Sequence, residues 1–397
     1  MAKPQIRLKG FEGEWENVCF KDFSYPAGEK NRDNLPLESY SISNELGFVP
    51  QNEQFEKGGT MANADKRMYY IVKPDSFAYN PARINVGSIG YDNLDKDVIV
   101  SSLYVIFKTD SETNNEWLNI WFKTPYFKRL VELYQEGGVR LYFFYDKLCA
   151  CHLNRPLLLE QKAIADYFKS LDSILQSTTK KIESLKQMKS ACLVSMFPQA
   201  GETTPRVRFK GFEGEWVKDK AVNLFMTFNE RNRPDLPVLS ANQDIRGMAP
   251  RSDTGYTISH NKANEVTYKV VKPGQYVIHL RSFQGGFAHS AVEGITSPAY
   301  TVFGFKNLNL HDDYFWKIIF MSKSFIKSLE TITYGIRDGR SISFSEFSEM
   351  SFLFPSKQEQ QKISTYFRSL DKQISLQEQK LEKLKQIKAA CLDKMFV

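Results

Sequence analysis

The sequence predicts an α+β protein: two mixed α/β globular domains in tandem, separated by two long helices that pair as an antiparallel coiled coil. Three observations predict it. The stretch "RLKGFEGEW" (Arg7–Trp15) returns as "RFKGFEGEW" (Arg208–Trp216), an offset of 201. "YFKSLD" (Tyr167–Asp172) returns as "YFRSLD" (Tyr366–Asp371), and "LKQMKSACLVSMF" (Leu185–Phe197) as "LKQIKAACLDKMF" (Leu384–Phe396), both at 199. Between these edges the copies keep only faint echoes, such as "IVKPDSFAY" (Ile71–Tyr79) against "VVKPGQYVI" (Val270–Ile278). A repeat of this length sets the domain plan before any local pattern is read. Edges that agree do one job twice, and middles that differ do two jobs.

The expected boundaries are a first globular domain at 1–156, a first spacer helix at 157–198, a second globular domain at 199–355 and a second spacer helix at 356–397. A chain of 397 residues exceeds the usual single core. Each domain opens on the repeated stretch, where Lys-Gly and Glu-Gly are turn dipeptides and Trp15 and Trp216 are anchors. The stretch should fix how each domain starts and packs beside its helix. Short runs such as "DVIV", "YVIF" and "YKVVKPGQYVIHL" read as strands between Gly, Pro, Asn and Asp turns. "EWLNIWFKTPYFKRLVELYQ" and "DDYFWKIIFMSKSFIKSLETI" have helical spacing.

The tails carry apolar residues in alternating steps of four and three, the coiled-coil period. In the first the seam runs Ile164, Phe168, Leu171, Leu175, Thr178, Ile182, Leu185, Lys189, Cys192, Met196. In the second it runs Ile363, Phe367, Leu370, Ile374, Gln377, Leu381, Leu384, Lys388, Cys391, Met395, so even the polar interruptions coincide. Between the ends of these seams neither tail contains Gly or Pro, and Pro156 and Pro355 stand just before, where a helix begins. Each helix should be roughly 55 Å long. One helix cannot bury so narrow a seam alone. Two equivalent units related by a pseudo-twofold axis would make the pair antiparallel.

Hydrophobic residues at 42% and charged residues at 25% are ordinary for a globular protein. The formal net charge is +7, of which the two helices carry +2 and +3. The globular parts are therefore near neutral, and any nucleic-acid face must be a local patch. The start has no apolar leader, and no run reaches the roughly 20 apolar residues that span a bilayer. Cys19, Cys149, Cys151, Cys192 and Cys391 lack disulfide-framework spacing, so reduced thiols in a cytoplasmic protein without a membrane are expected.

Catalytic patterns are missing. Five His, at 152, 260, 279, 289 and 311, form no HExxH or other zinc spacing. Cys149-Ala-Cys151-His152 has the wrong spacing for a metal and reads as packing. There is no P-loop and no GxGxxG. Asn80-Pro81-Ala82-Arg83 lacks the second Pro and the aromatic of an adenine-methyltransferase motif. Pro74-Asp75 lies far from Glu160 and Lys162, so it makes no nuclease set. No catalytic and no metal residues are expected.

The duplicated set does resemble a family. Two globular units each open with Arg-x-Lys-Gly-Phe-Glu-Gly-Glu-Trp. Each closes with a Pro, a Glu-Gln and a long helix carrying Tyr-Phe-(Lys/Arg)-Ser-Leu-Asp. Over its whole length the chain resembles the specificity subunit of type I restriction-modification systems. The resemblance implies a non-catalytic adaptor whose two target-recognition domains each read one half of a bipartite double-stranded DNA site. It implies a helical spacer that sets the gap and docks modification subunits, which bind S-adenosylmethionine. Restriction subunits that use ATP and Mg would join the assembly. The alternative from another class is a coiled-coil scaffold with two ligand-binding modules and no DNA role.

Base edges are read by Arg or Lys for guanine and by Asn or Gln for adenine. In the first domain the candidates are Ser43, Asn44, Gln51 and Asn52 around Gly47 and Pro50, then Arg83 and Ser88 in "YNPARINVGSIGY", then Arg140 in "GGVR". In the second they are Asn242, Gln243, Arg246 and Arg251 around Gly247 and Pro250, then Arg281 and Gln284 in "IHLRSFQGGFAHS", then Arg337 and Arg340 in "YGIRDGR". Arg32, Arg231 and Arg233 sit among acidic neighbours and suit phosphate clamps or solvated turns. Lys180, Lys181, Lys186, Lys189, Lys380, Lys383, Lys385 and Lys388 make the helices basic towards their ends, as a solvated face or a partner surface.

Overall fold

A computed structural model describes residues 3–54, 65–242, 247–254, 262–280, 282, 286–329 and 342–397. Two long helices, Leu158–Ser195 and Lys357–Lys394, span 38 residues each, roughly 57 Å at the α-helical rise. The chain divides into two compact units. One joins Met1–Lys180 with Glu378–Val397; the other is Lys181–Gln377. The division falls inside both long helices, so each unit holds a stretch of each.

Within each unit the helices run antiparallel. In the first, Lys388 pairs with Asp172, and the Cys391 thiol lies 3.6 Å from the Tyr167 hydroxyl. Rising numbers on one helix meet falling numbers on the other. In the second, Lys189 pairs with Asp371, and Cys192 lies 3.3 Å from the hydroxyl of Tyr366. The lysine interruptions of the seam, Lys189 and Lys388, are thus filled by matched ion pairs. Ile164, Phe168, Leu171, Ile182, Leu185, Ile363, Phe367, Leu370 and Ile374 are buried, whereas Leu175, Leu381 and Leu384 are half-buried. Ile164 and Phe168 also join the core of the first domain, and Ile363 and Phe367 that of the second. Where a domain packs on the seam its side chains are covered on more sides than a two-helix contact provides.

The first unit's sheets are antiparallel. One runs in the order Ser24–Pro26, Val105–Thr109, Phe77–Tyr79, Ile89–Tyr91, and another joins Glu29–Lys30, Tyr70–Val72 and Val98–Val100. A separate hairpin pairs Tyr40–Ser43 with Gly47–Pro50. In the second unit the equivalent hairpin, Leu239–Asn242 with Gly247–Pro250, is part of a six-stranded sheet. It joins Ala288–Ser290 through a parallel pairing. "DVIV" and "YVIF" fall on the strands Val98–Val100 and Val105–Thr109. Each helically spaced stretch is split in two. Asn115–Trp121 is capped by Asn114, and Pro125–Tyr134 starts on Pro125 behind the Thr124 cap. The second copy gives Asp313–Phe320 and Lys323–Leu329. Proline lacks the N–H that a continuous first helix would need, so the break belongs to the sequence.

The repeated opening stretch acts at the domain–helix junction in both units. Arg7 donates from Nε and Nη2 to the Glu160 carboxylate, both at 2.8 Å, and from Nη1 to Gly13 O. Arg208 does the same to Glu359, at 2.6 and 2.7 Å, and to Gly214 O. Both carboxylates are buried. Gly10, Gly13, Gly211 and Gly214 all have positive φ, which curls the stretch around its arginine. The next residue along, Gln161 or Gln360, accepts from the backbone N–H of Asn114 or Asp312 and donates to the carbonyl of Pro156 or Pro355. Trp15 meets Phe396 edge-on at 6.5 Å and Trp216 meets Phe197 at 5.9 Å.

Candidate nucleic-acid interface

In the first unit the three predicted stretches come together. Asn44 opens the turn of the hairpin, exposed, while Ser43 turns its hydroxyl to accept from the backbone N–H of Glu45 and Leu46. The stretch around Arg83 forms a short helical turn, Ile84–Val86, that ends on Gly87 at φ +89°. Ser88 is 3% exposed, and its hydroxyl donates 2.9 Å to Ile42 O of the hairpin. Ser88 therefore ties two loops and presents no free group, contrary to the expectation that it reads DNA. Gly90 approaches the hairpin so closely that a Cβ there would lie 3.2 Å from Gly47 Cα. The third stretch is bound to the second by Phe143, whose N–H donates 3.0 Å to Pro81 O.

Asn44, Arg83 and Arg140 are exposed on these three joined loops. Asn52 is also exposed, just past the hairpin, whereas Gln51 folds back towards Tyr40 O at 3.5 Å. Tyr104 braces the cluster from below, its hydroxyl accepting from Ile42 N at 3.3 Å. Burial raises the pKa of that phenol, and the charge of Arg83 opposes the rise. Between the hairpin turn and the first long helix lies a cleft of about 350 Å³, lined among others by Asn44, Gly47, Asn93, Asn119, Lys123 and Lys169. Arginine and amide side chains on loops held by main-chain ties are the groups that meet base edges and phosphates.

In the second unit Asn242 closes the strand Leu239–Asn242, and Arg251 reaches back across the hairpin, Nε 3.3 Å from Ser240 Oγ. Gln243, Arg246, Arg281, Gln284, Arg337 and Arg340 lie outside the described residues. Arg233 is paired with Asp235 at 2.7 Å, and Arg231 reaches Asn229 at 3.1 Å, so both sit in locally satisfied turns. His289 Nε2 lies 2.7 Å from Asp313 Oδ2. Burial raises the Asp313 pKa, but the His289 contact and the charges of His289 and Arg368 outweigh it and hold the carboxyl below its usual range. Cys149, Cys151 and His152 stand apart from these loops. Cys19 donates 3.1 Å to Cys149 O, and burial pushes the Cys151 thiol up to about 12, as expected of packing. Among the described residues no three His, Cys, Asp or Glu side chains converge as metal ligands. No described helix is long and apolar enough to cross a membrane.

Residues 217–386 match the family described as the type I restriction modification DNA specificity domain. The first half carries the same opening stretch, junction and helix. The matched segment takes in most of the second globular domain and the second long helix. The chain is similar over nearly its whole length to solved structures that share its fold. An HsdS subunit from Thermoanaerobacter tengcongensis is 14% identical with a TM-score of 0.52, covering 96% of both chains. A type I specificity subunit from M. genitalium is 11% identical with a TM-score of 0.56, covering 100% of this chain and 99% of that one. A chain described under the complex assembly of a type I restriction-modification system is 12% identical with a TM-score of 0.52, covering 96% and 97%. No match is found among curated proteins. The match over residues 217–386 supports DNA recognition, and the scaffold alternative is not favoured.

Sequence reasoning passed over Tyr104 and Pro81, whose roles come from a phenol oxygen and a backbone carbonyl. It also passed over Glu160 and Glu359 as partners of the repeated arginine. That signal was present: a Glu-Gln pair follows a proline at the same place in both copies.

Proposed function

We propose that each globular domain of this specificity subunit reads one half of a bipartite double-stranded DNA site, while the paired helices set the gap and dock the modification subunits. The observation that supports it best is the convergence of Asn44, Arg83 and Arg140 on three mutually tied loops of a domain bolted to its helix by a buried Arg–Glu pair. The chain supplies recognition and no chemistry. S-adenosylmethionine belongs to the modification subunits, and ATP with Mg to the restriction subunits, of a complex assembled in the cytoplasm. On the second domain the reading side chains are Asn242, Gln243, Arg246, Arg251, Arg281, Gln284, Arg337 and Arg340.

Replacing residues 206–355 with another recognition domain should change one half of the methylated sequence and leave the other. An unchanged genomic methylation pattern would sink the proposal. Inserting one heptad into each helix should lengthen the unread gap and keep both half-sites; altered half-sites would contradict a spacer role. Binding should fall steeply with salt, because released counterions drive phosphate contacts.

A further inference from the structure

We propose that Val139 is a base-reading residue of the first domain that packs against the 5-methyl group of a thymine in the major groove. The inference rests on the DNA-reading role of the loops proposed above. Val139 is 104% exposed, among the barest of the large apolar side chains in the described residues. It does not sit on a loose tail. Glu136 and Tyr142 exchange both backbone hydrogen bonds at 2.8 Å, closing the loop beneath it. Tyr142 stacks on Phe144, with ring centroids 5.5 Å apart and 2° between planes. Glu136 is further held by Lys147 at 3.0 Å. Gly137 has φ +136°, and a Cβ there would lie 2.1 Å from Arg140 O, so the tight shape of the loop requires glycine.

The loop therefore holds a bare methyl pair in a fixed position, next to the exposed guanidinium of Arg140 and joined through Phe143 and Pro81 to the loop of Arg83. A bare apolar side chain gains free energy when an apolar partner covers it, and Val139 differs from the other exposed apolar side chains in being held on a tied loop beside Arg140. On a face of arginine and asparagine the matching apolar group is the thymine methyl, the one hydrophobic feature of the major-groove code. Valine is too short to serve as a wedge that opens a base step, for which longer side chains are used. The sequence repeats the pair in the second copy as Ile336-Arg337.

The test uses the full chain in its methyltransferase complex and a duplex carrying the site found by methylation mapping. The half-site of the first domain is the half that survives replacement of residues 206–355. Each of its thymines is exchanged in turn for deoxyuridine, which lacks only the 5-methyl group. With the native chain, one exchange should weaken binding about fourfold, as expected for one buried methyl. V139S should bind the thymine duplex about fourfold less tightly and lose the thymine–uracil difference. R140Q should keep that difference while reducing the salt dependence by about one counterion. A half-site without thymine, equal binding at every exchange, or an unchanged ratio in V139S would overturn the proposal. If the native complex shows no preference for the mapped duplex over a scrambled one, the recognition reading itself fails, and this inference with it. Full exposure of Val139 makes V139S neutral for folding, which thermal unfolding of the variant checks.

Discussion

At the residue scale the most telling groups are those whose charge has to be accommodated inside. Glu359 is 1% exposed, and its carboxylate is held by both arms of the Arg208 guanidinium. Removing the arginine leaves a buried anion without its partner, which typically costs about 3–5 kcal/mol. R208A should lower the unfolding midpoint sharply. The double variant R208M/E359M should recover most of the loss, because a well-packed apolar pair carries no desolvation penalty. His311 poses the opposite problem. It is buried, stacked on Phe305 at 4.8 Å and edge-on to Trp316 and Phe354, and burial pushes its pKa down to about 4. Its folded pKa lies below its unfolded value, so the unfolded chain takes up the proton first. The neutral ring is fully tolerated above about 6.5, and stability is lost as pH falls from there towards about 4. H311F should flatten that part of the pH–stability curve, by at most about 3 kcal/mol. A curve unchanged by the substitution would assign the acid loss to other groups. The arginine pairing left a trace in the sequence, since both partners recur at matching positions. The histidine left none, because a lone His does not reveal what will surround it.

At the element scale the long helices were readable because their signal is periodic and doubled. The domains were readable only in part. Their strands are mostly three to five residues long, too short for alternation to declare a face, and their order depends on pairings distant in sequence. Loops were the least legible elements. Asn44, Arg83 and Arg140 share a side of the first unit because of a serine hydroxyl, a glycine approach and one backbone N–H, none of which a residue pattern encodes. The same facts make the loop sensitive. G137A would force a Cβ against Arg140 O and reshape the tip. Recognition of the first domain's half-site should then drop at least tenfold with the second half-site unaffected. Equal binding of both would remove the Arg140 loop from the interface. The helix pairing can be examined in the same way. D172K sets an exposed lysine against the half-buried Lys388 and should destabilise the first unit, while D172K with K388D should restore it by reversing the pair. Urea unfolding of the two variants separates a specific pair from general charge effects.

At the scale of the whole molecule the matched pairings have a consequence for half the chain. In the first unit Asp172 meets Lys388, Tyr167 meets Cys391, and Phe168 meets Phe396. In the second Lys189 meets Asp371, Cys192 meets Tyr366, and Phe197 meets Phe367. The 199-residue offset places Lys189 on Lys388, Cys192 on Cys391 and Phe197 on Phe396. Residues 1–200 thus contain both members of every pair, separated only by direction along one helix. The backbone closure is duplicated as well: Ile6 N donates to Lys394 O at 3.0 Å, and Val207 N to Ser195 O at 2.9 Å. A fragment of residues 1–200 should therefore associate with a second copy of itself, antiparallel, making each pairing twice across a twofold axis. Light scattering should give the mass of a dimer, and D172K should return it to a monomer by opposing two lysines at both symmetric sites. Because both readers would then be the first domain, the methylated sequence should become an inverted repeat of that domain's half-site, with the gap unchanged. A fragment that stays monomeric at tens of micromolar while folded would show that the two copies have diverged at the seam in ways the shared motifs conceal.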